Sequence, residues 1–137
     1  MKVNIQFEST DTDGAVSVSN ISAVMQKREN DYRLVYVEDL SGDGKMTKSI
    51  MLLSDTGLRI TRTGELRTDF MYGQSMTHHT SYETPYGRFP VTLETEDYDF
   101  NLGGDEFIIS AETGYRLIVG GQEPLFMRMK IRVTPIS

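Results

Sequence analysis

Two adjacent histidines, His78 and His79, and a carboxylate run, Glu94, Glu96, Asp97 and Asp99, are the residues whose types suit metal binding or proton transfer. Successive side chains of a strand point to opposite faces, so the two imidazoles do not readily reach one ion unless a bulge reorients them. No cysteine accompanies them and no third ligand is evident, so neither a metal nor a cofactor is expected. In the acidic run Glu94 and Glu96 fall on one face of a strand, and Asp97 and Asp99 on the other. Paired carboxylates do acid/base work only in surroundings that drive their pKa values apart. A solvated outer face opposite the stripe Arg128, Lys130, Arg132 is the simpler reading. Two further segments, Asp39, Ser41, Asp43, Gly44 and Ser9, Asp11, Asp13, Gly14, match the first positions of a calcium loop. Both lack the closing bidentate glutamate, having Ile50 or Asn20 in its place. Hairpin turns use the same Asp and Gly residues.

No serine triad, phosphate-binding loop, dinucleotide fingerprint or zinc-protease helix is present. Gly103, Gly104 and Gly120, Gly121 fall at turns and lack the strand-to-helix setting of a phosphate cradle. Catalysis therefore has little support. The net charge of -6 disfavours non-specific nucleic-acid binding, which relies on basic surface, and no apolar run approaches the roughly 20 residues of a membrane helix. Met1 to Phe7 alternates Val3, Ile5 and Phe7 with polar residues, unlike a secretory leader. With no cysteine at all, a cytoplasmic protein of bacterial type is expected.

Arg62 stands apart from these. It shares a strand face with Leu58 and Ile60, and a guanidinium among core residues must find partners, because an unpaired buried charge is very costly. Tyr72, His78, Thr80, Tyr82 and Tyr115 are predicted to point the same way, together with Met76, Met127 and Met129. Convergent polar groups on an apolar wall orient small ligands in pockets. Arg62, Tyr72, His78, Tyr82, Tyr115, Met127 and Met129 are therefore the candidate ligand-binding residues. In that set Arg62 either pairs with a ligand carboxylate or caps the mouth of the fold.

The elements that must position these residues are strands. Short period-2 runs, each closed by Gly, Pro, Asn or Asp, follow one another from Val3 to Ile136. The first spans Lys2 to Glu8 and ends at Asp11, Thr12, Asp13, Gly14. Val16 and Val18 are out of phase with Ile21, Ala23 and Met25, so a bulge or bend is predicted near Asn20. Tyr32 to Val37 follows, closed by a loop at Ser41 to Lys45. Met46 to Leu53, Gly57 to Thr63, Leu66 to Tyr72 and Ser75 to Thr84 come next. Arg88 to Leu102 changes phase near Glu96, where a second bulge is predicted. After Gly103, Gly104 and Asp105, Glu106 to Val119 and Leu125 to Ile136 complete the set. The last strand places Leu125, Met127, Met129, Ile131 and Val133 inward and Arg128, Lys130 and Arg132 outward. About ten strands joined by tight turns close most simply as an antiparallel up-and-down β-barrel of eight to ten strands. A two-sheet sandwich is the alternative. The whole chain, residues 1–137, reads as one all-β domain.

The stretch Ile60, Thr61, Arg62, Thr63, Gly64, then Phe70 and Gly73, then Tyr82, Glu83, Thr84, Pro85, Tyr86, Gly87 before a long acidic strand, resembles the YwiB-like family. That family consists of small bacterial proteins of unknown function with a calycin-like, or lipocalin-like, barrel. The resemblance runs over nearly the whole chain and is densest from Arg62 to Thr95. It implies a calycin-like barrel of eight to ten strands in an intracellular bacterial protein, and it carries no established catalytic or ligand residues.

The expected activity is non-catalytic binding of a small amphipathic or acidic molecule in the barrel lumen. The alternative is an interaction or structural module that works through the outer barrel surface, for instance through the basic stripe of the last strand. A third reading is an enzyme built on His78. The oligomeric state is left open.

Overall fold

The structure, a computed structural model, describes residues 1–39, 42, 44–104 and 107–136. Its elements are strands: β1 (Lys2–Thr10), β2 (Val16–Lys27), β3 (Tyr32–Glu38), β4 (Thr47–Leu53), β5 (Leu58–Thr63), β6 (Thr68–Tyr72), β7 (Thr77–Thr84), β8 (Gly87–Leu102), β9 (Ile109–Val119) and β10 (Leu125–Pro135). Every pairing is antiparallel, and the ten strands form one sheet in the order β6-β5-β4-β3-β2-β1-β10-β9-β8-β7. A single meander curls until its two edges, β6 and β7, meet. The sandwich is thereby set aside. The loop expected at Ser41 to Lys45 and the first calcium-like segment fall partly on Ser41 and Asp43, which lie outside the described residues. So do Asp105 and Glu106, expected to turn into and begin the ninth strand.

Closure at the seam is sparse. Arg67 and Glu83 exchange main-chain hydrogen bonds of 2.9 and 3.0 Å, and the His78 imidazole supplies a further link through Nε2, 2.9 Å from the carbonyl of Asp69. Each bond satisfies an edge group that would otherwise face the gap.

One end of the barrel is sealed. The long strand β8 pairs with β7 over its first half and with β9 over its second, and a bulge between Thr95 and Asp97 bends it, as the phase change at Glu96 predicts. The β6–β7 turn docks at that bend. Thr95 N–H donates to the carbonyl of Met76 at 2.8 Å, Gly73 N–H to Thr95 Oγ1 at 3.3 Å, and Tyr98 N–H to Gln74 Oε1 at 3.1 Å. The Tyr98 hydroxyl then crosses to the β4–β5 turn, where it donates toward the carbonyls of Ser54 and Gly57. Above this floor the core is fully buried: Ile5, Leu34, Met51, Leu53, Ile60, Leu93, Ile109, Ile131 and Val133 are each less than 2% exposed. Burying side chains of this kind contributes about 1.5–3 kcal/mol each before entropy is counted.

The opposite end carries the β1–β2, β5–β6, β7–β8 and β9–β10 turns. There the inward positions are only partly buried, among them Phe7, Tyr82, Tyr115, Leu117, Val119 and Met127. The apolar side chains of this end are thus less enclosed than those of the core.

The strand β2 differs from expectation. Its register with β1 runs unbroken from Val16 to Val24, with no bulge at Asn20. Ile21, Ala23 and Met25 face the core, and Val16 and Val18 stay on the outer face, 56% and 55% exposed. The phase change thus marks a strand that outruns the core, since β3 pairs with β2 only over Val24 to Lys27.

Candidate functional site

Directly opposed residues on an antiparallel sheet share a face, so the register assembles a row. Tyr36 of β3 lies opposite Ser49 of β4, Ser49 opposite Arg62 of β5, and Arg62 opposite Thr68 of β6. All four face inward. The row below it, Leu34, Met51, Ile60 and Phe70, is wholly apolar. Polar chemistry therefore begins abruptly at the level of Arg62.

The guanidinium is not alone. Arg62 Nε lies 3.3 Å from Glu38 Oε2, and Ser49 Oγ donates to the same oxygen at 3.0 Å. The Glu38 side chain is 10% exposed and that of Arg62 21%, so this pair is sheltered from the screening that weakens surface ion pairs. Glu38 escapes the sequence reading, although it keeps phase with Tyr32, Leu34 and Tyr36, the same signal that singles out Arg62.

Tyrosines surround the pair. The rings of Tyr72 and Tyr115 meet edge to face at 4.9 Å, and Tyr36 packs against Phe7 at 6.1 Å. Burial pushes the Tyr72 hydroxyl well above the ordinary phenol range, with Tyr115 adding to the effect and the Arg62 charge opposing it. Burial likewise raises Tyr36 and Tyr115, again opposed in part by Arg62. These phenols are held protonated, as hydrogen-bond donors rather than bases.

Thr68 Oγ1 is buried with no hydrogen-bond partner, and Tyr36 Oη is buried without a well-formed bond, close to the Ser49 hydroxyl. They belong to strands on either side of Arg62. Native interiors satisfy the great majority of such atoms with protein, water or ligand. On the seam side a recess of about 190 Å³ is lined by Arg62, Thr68, Thr80 and Glu83, which brings the arginine within reach of the gap between β6 and β7.

Of the candidate residues, the structure gathers Arg62, Tyr72 and Tyr115. Met127, opposite Tyr115, and Tyr82, opposite Phe89, lie on the partly open rim, whereas Met129 is 7% exposed and belongs to the core beside Thr113. His78 faces inward but is engaged with Asp69 at the seam. His79 points the other way, its Nδ1 3.2 Å from Thr92 Oγ1. Among the described residues, no three His, Cys, Asp or Glu side chains gather as a metal site.

The outer face is neutralised by pairing. Arg128 bonds Asp97 through both terminal nitrogens, at 3.1 and 2.7 Å, and lies 3.6 Å from Glu112, as does Lys130. Gly114 makes the first contact possible, since a Cβ there would come within 2.6 Å of Arg128 Nη2. The bulge also corrects the expected division of the acidic run: Glu94, Asp97 and Asp99 all oppose residues of the outer face, Arg116, Gly114 and Glu112. Of the basic stripe, Arg132 alone among the described residues has no carboxylate within ion-pair distance.

A family model described as a domain of unknown function, DUF1934, matches residues 2–131. No curated protein matches the chain. Among solved structures, the crystal structure of the ywiB protein from Bacillus subtilis is similar, with a TM-score of 0.82 over 99% of this chain and 92% of that one, at 18% identity. At that identity the likeness speaks to the fold alone. Among the described residues no helix is long and apolar enough to cross a membrane.

Proposed function

The chain belongs to the DUF1934 family, a domain of unknown function, and from that premise we propose that it is a non-catalytic carrier of a small amphipathic molecule, held in the lumen of a calycin-like barrel. The head group sits at the level of Arg62 and accepts hydrogen bonds from the guanidinium and from Tyr36. The apolar part extends toward the rim past Phe7, Met127, Leu117 and Tyr82. One observation carries this reading: Thr68 Oγ1 is buried without a partner, and Tyr36 Oη without a well-formed one, beside a sheltered guanidinium. Groups in that state cost free energy until water or a ligand engages them. Glu38 already neutralises the guanidinium, so a strongly polar neutral head group, or at most one with a single negative charge, fits better than a polyanion. Raised phenol pKa values favour donation over proton abstraction, which supports binding above turnover. A location in the bacterial cytoplasm goes with this reading, and the absence of cysteine agrees with it.

Native mass spectrometry of freshly purified protein tests it, followed by thermal-shift screening against long-chain and aromatic carboxylates. A carried mass or a stabilising carboxylate is expected, and Arg62→Ala should abolish either. Tyr36→Phe should weaken retention, because it removes a donor at the level of Arg62. A lumen filled by its own side chains, with no bound mass and no stabilising compound, would overturn the reading.

A further inference from the structure

The longest unpaired main-chain edge of the barrel outside the seam belongs to β2. Met25 exchanges hydrogen bonds with Met1, Met25 N–H donating at 2.8 Å and the Met1 ammonium at 3.3 Å, so the odd-numbered residues of β2 bond toward β1. By antiparallel alternation the even-numbered residues turn their N–H and C=O groups the other way, toward β3. Yet β3 takes up pairing only from Val24 onward. Val16, Val18, Asn20 and Ser22 therefore present a free ladder. The hairpin that carries it is held firmly, for Thr12 Oγ1 both accepts from Phe126 N–H at 3.0 Å and donates to Phe126 carbonyl at 3.2 Å.

Strand edges left open in native proteins are normally blunted by lysine, proline, bulges or cover. Among the described residues this strand carries no lysine, proline or bulge along its free stretch, and Val37, Glu38 and Asp39 stand across a groove from Ser19 to Ser22. From Gly14 to Gln26 the sequence carries no charged residue and no proline, and the ladder with β1 contains no bulge. Beside the edge, on the outer face, lies a recess of about 530 Å³ lined by Val24, Val35, Val37 and Ile136 together with Lys2 and Lys48. Val24, Val37 and Ile136 are each about half exposed, at 58%, 54% and 46%.

We infer that this edge pairs with the same edge of a second copy of the chain, β2 against β2 in antiparallel sense about a two-fold axis. The strand's own composition names the occupant. With Ser19 opposite the second copy's Ser19, pairing stays within Val16 to Ser22 and does not collide with the β2–β3 ladder. The second copy's Val16 then lies opposite Ser22, diagonal to Val24 and next to Val37. The valines left exposed by one copy thus cover the recess of the other, and reciprocally, as an isologous contact requires. The neutral edge also lets two chains of net charge -6 approach without placing like charges together.

The natural chain has no cysteine, which makes the register directly readable. Opposed non-hydrogen-bonded residues of an antiparallel pair bring their Cα atoms to about 4.5 Å, within the range a disulfide spans. Ser19→Cys should form a disulfide-linked dimer under mild oxidation, whereas Ser110→Cys, on the outer face of β9, should not. In sedimentation velocity the natural chain should run as a dimer, and Asn20→Pro, which removes a main-chain donor from the free edge along with the exposed Asn4–Asn20 side-chain bond, should run as a monomer. Val18→Lys provides a second variant that leaves every main-chain bond in place and should also be monomeric. A natural chain that remains monomeric at every concentration, a Val18→Lys dimer as tight as the unaltered one, or equal cross-linking of the Ser110→Cys and Ser19→Cys variants would overturn the inference.

Discussion

His78 Nε2 lies 2.9 Å from the main-chain carbonyl of Asp69, so a side chain of β7 does at the seam what main-chain pairing does between every other pair of neighbours in the sheet. The adjacent His79, on the opposite face, has no share in this. The one histidine directed inward thus commits its Nε2 to the barrel wall.

Replacing His78 with Leu should leave the Asp69 carbonyl without its donor. A loss of about 1 kcal/mol is expected in urea denaturation. Hydrogen exchange should quicken at the amides of Arg67 and Glu83 and not in β1. Unaltered exchange at the seam would show that the imidazole is dispensable there.

Glu38 and Arg62 should be coupled. Arg62→Met leaves a sheltered carboxylate with Ser49 as its remaining partner, and a loss of about 2–3 kcal/mol is expected, toward the low end for a broken buried pair because Arg62 keeps some exposure. Adding Glu38→Gln should recover more than half of it. A double-mutant cycle with no coupling would count against the pair as the anchor of the site.

High pH should unfold the protein through its phenols. Tyr36, Tyr72, Tyr98 and Tyr115 all have folded pKa values raised by burial. A raised folded value means that the native state holds its protons longer, so stability is intact below the ordinary phenol pKa of about 10 and declines as pH climbs from there toward the folded values. In an alkaline titration followed by ultraviolet absorbance, these four should ionise together with loss of structure. Tyr72→Phe should reduce the slope of stability against pH.

Two glycines should respond differently to alanine. At Gly57 a Cβ would lie 2.6 Å from the main-chain oxygen of Tyr72, which cannot move without shifting β6, and a cost of about 1–3 kcal/mol is expected. At Gly114 the nearest atom is the end of the Arg128 side chain, which can swing aside, and the cost should be smaller. Equal melting temperatures for Gly57→Ala and Gly114→Ala would contradict this ranking.

Strand alternation and turn residues are enough to read the barrel, the bend at Glu96 and the inward direction of Arg62, because these are local properties of the chain. What alternation cannot supply is which residue faces which across two strands. Glu38 reaches Arg62 through the registers of β3, β4 and β5 together, and Tyr72 reaches Tyr115 only through the curvature of the closed sheet. The acidic outer face opposite the Arg128 stripe is legible, but the bulge decides which carboxylates share that face, with partners coming from β8 and β9. In β2 the pattern is legible, but the phase change reflects an unpaired stretch of strand instead of a bulge.

The placement of the seam bears on how the polypeptide reaches its native topology. Strands β1 and β10 hydrogen-bond along their length, Val3 with Pro135 through Thr10 with Arg128, while β6 and β7, separated by one short turn, barely touch. The widest loop closure is thus invested in a full-length ladder, and one of the short turns in the weakest contact between neighbours. A circular permutant joined from β10 to β1 and cut within Gly73 to Met76 would reverse this, lowering contact order and making every main ladder a local hairpin. Such a chain should refold faster than the natural one, although its new ends interrupt the turn that Thr95 and Tyr98 anchor.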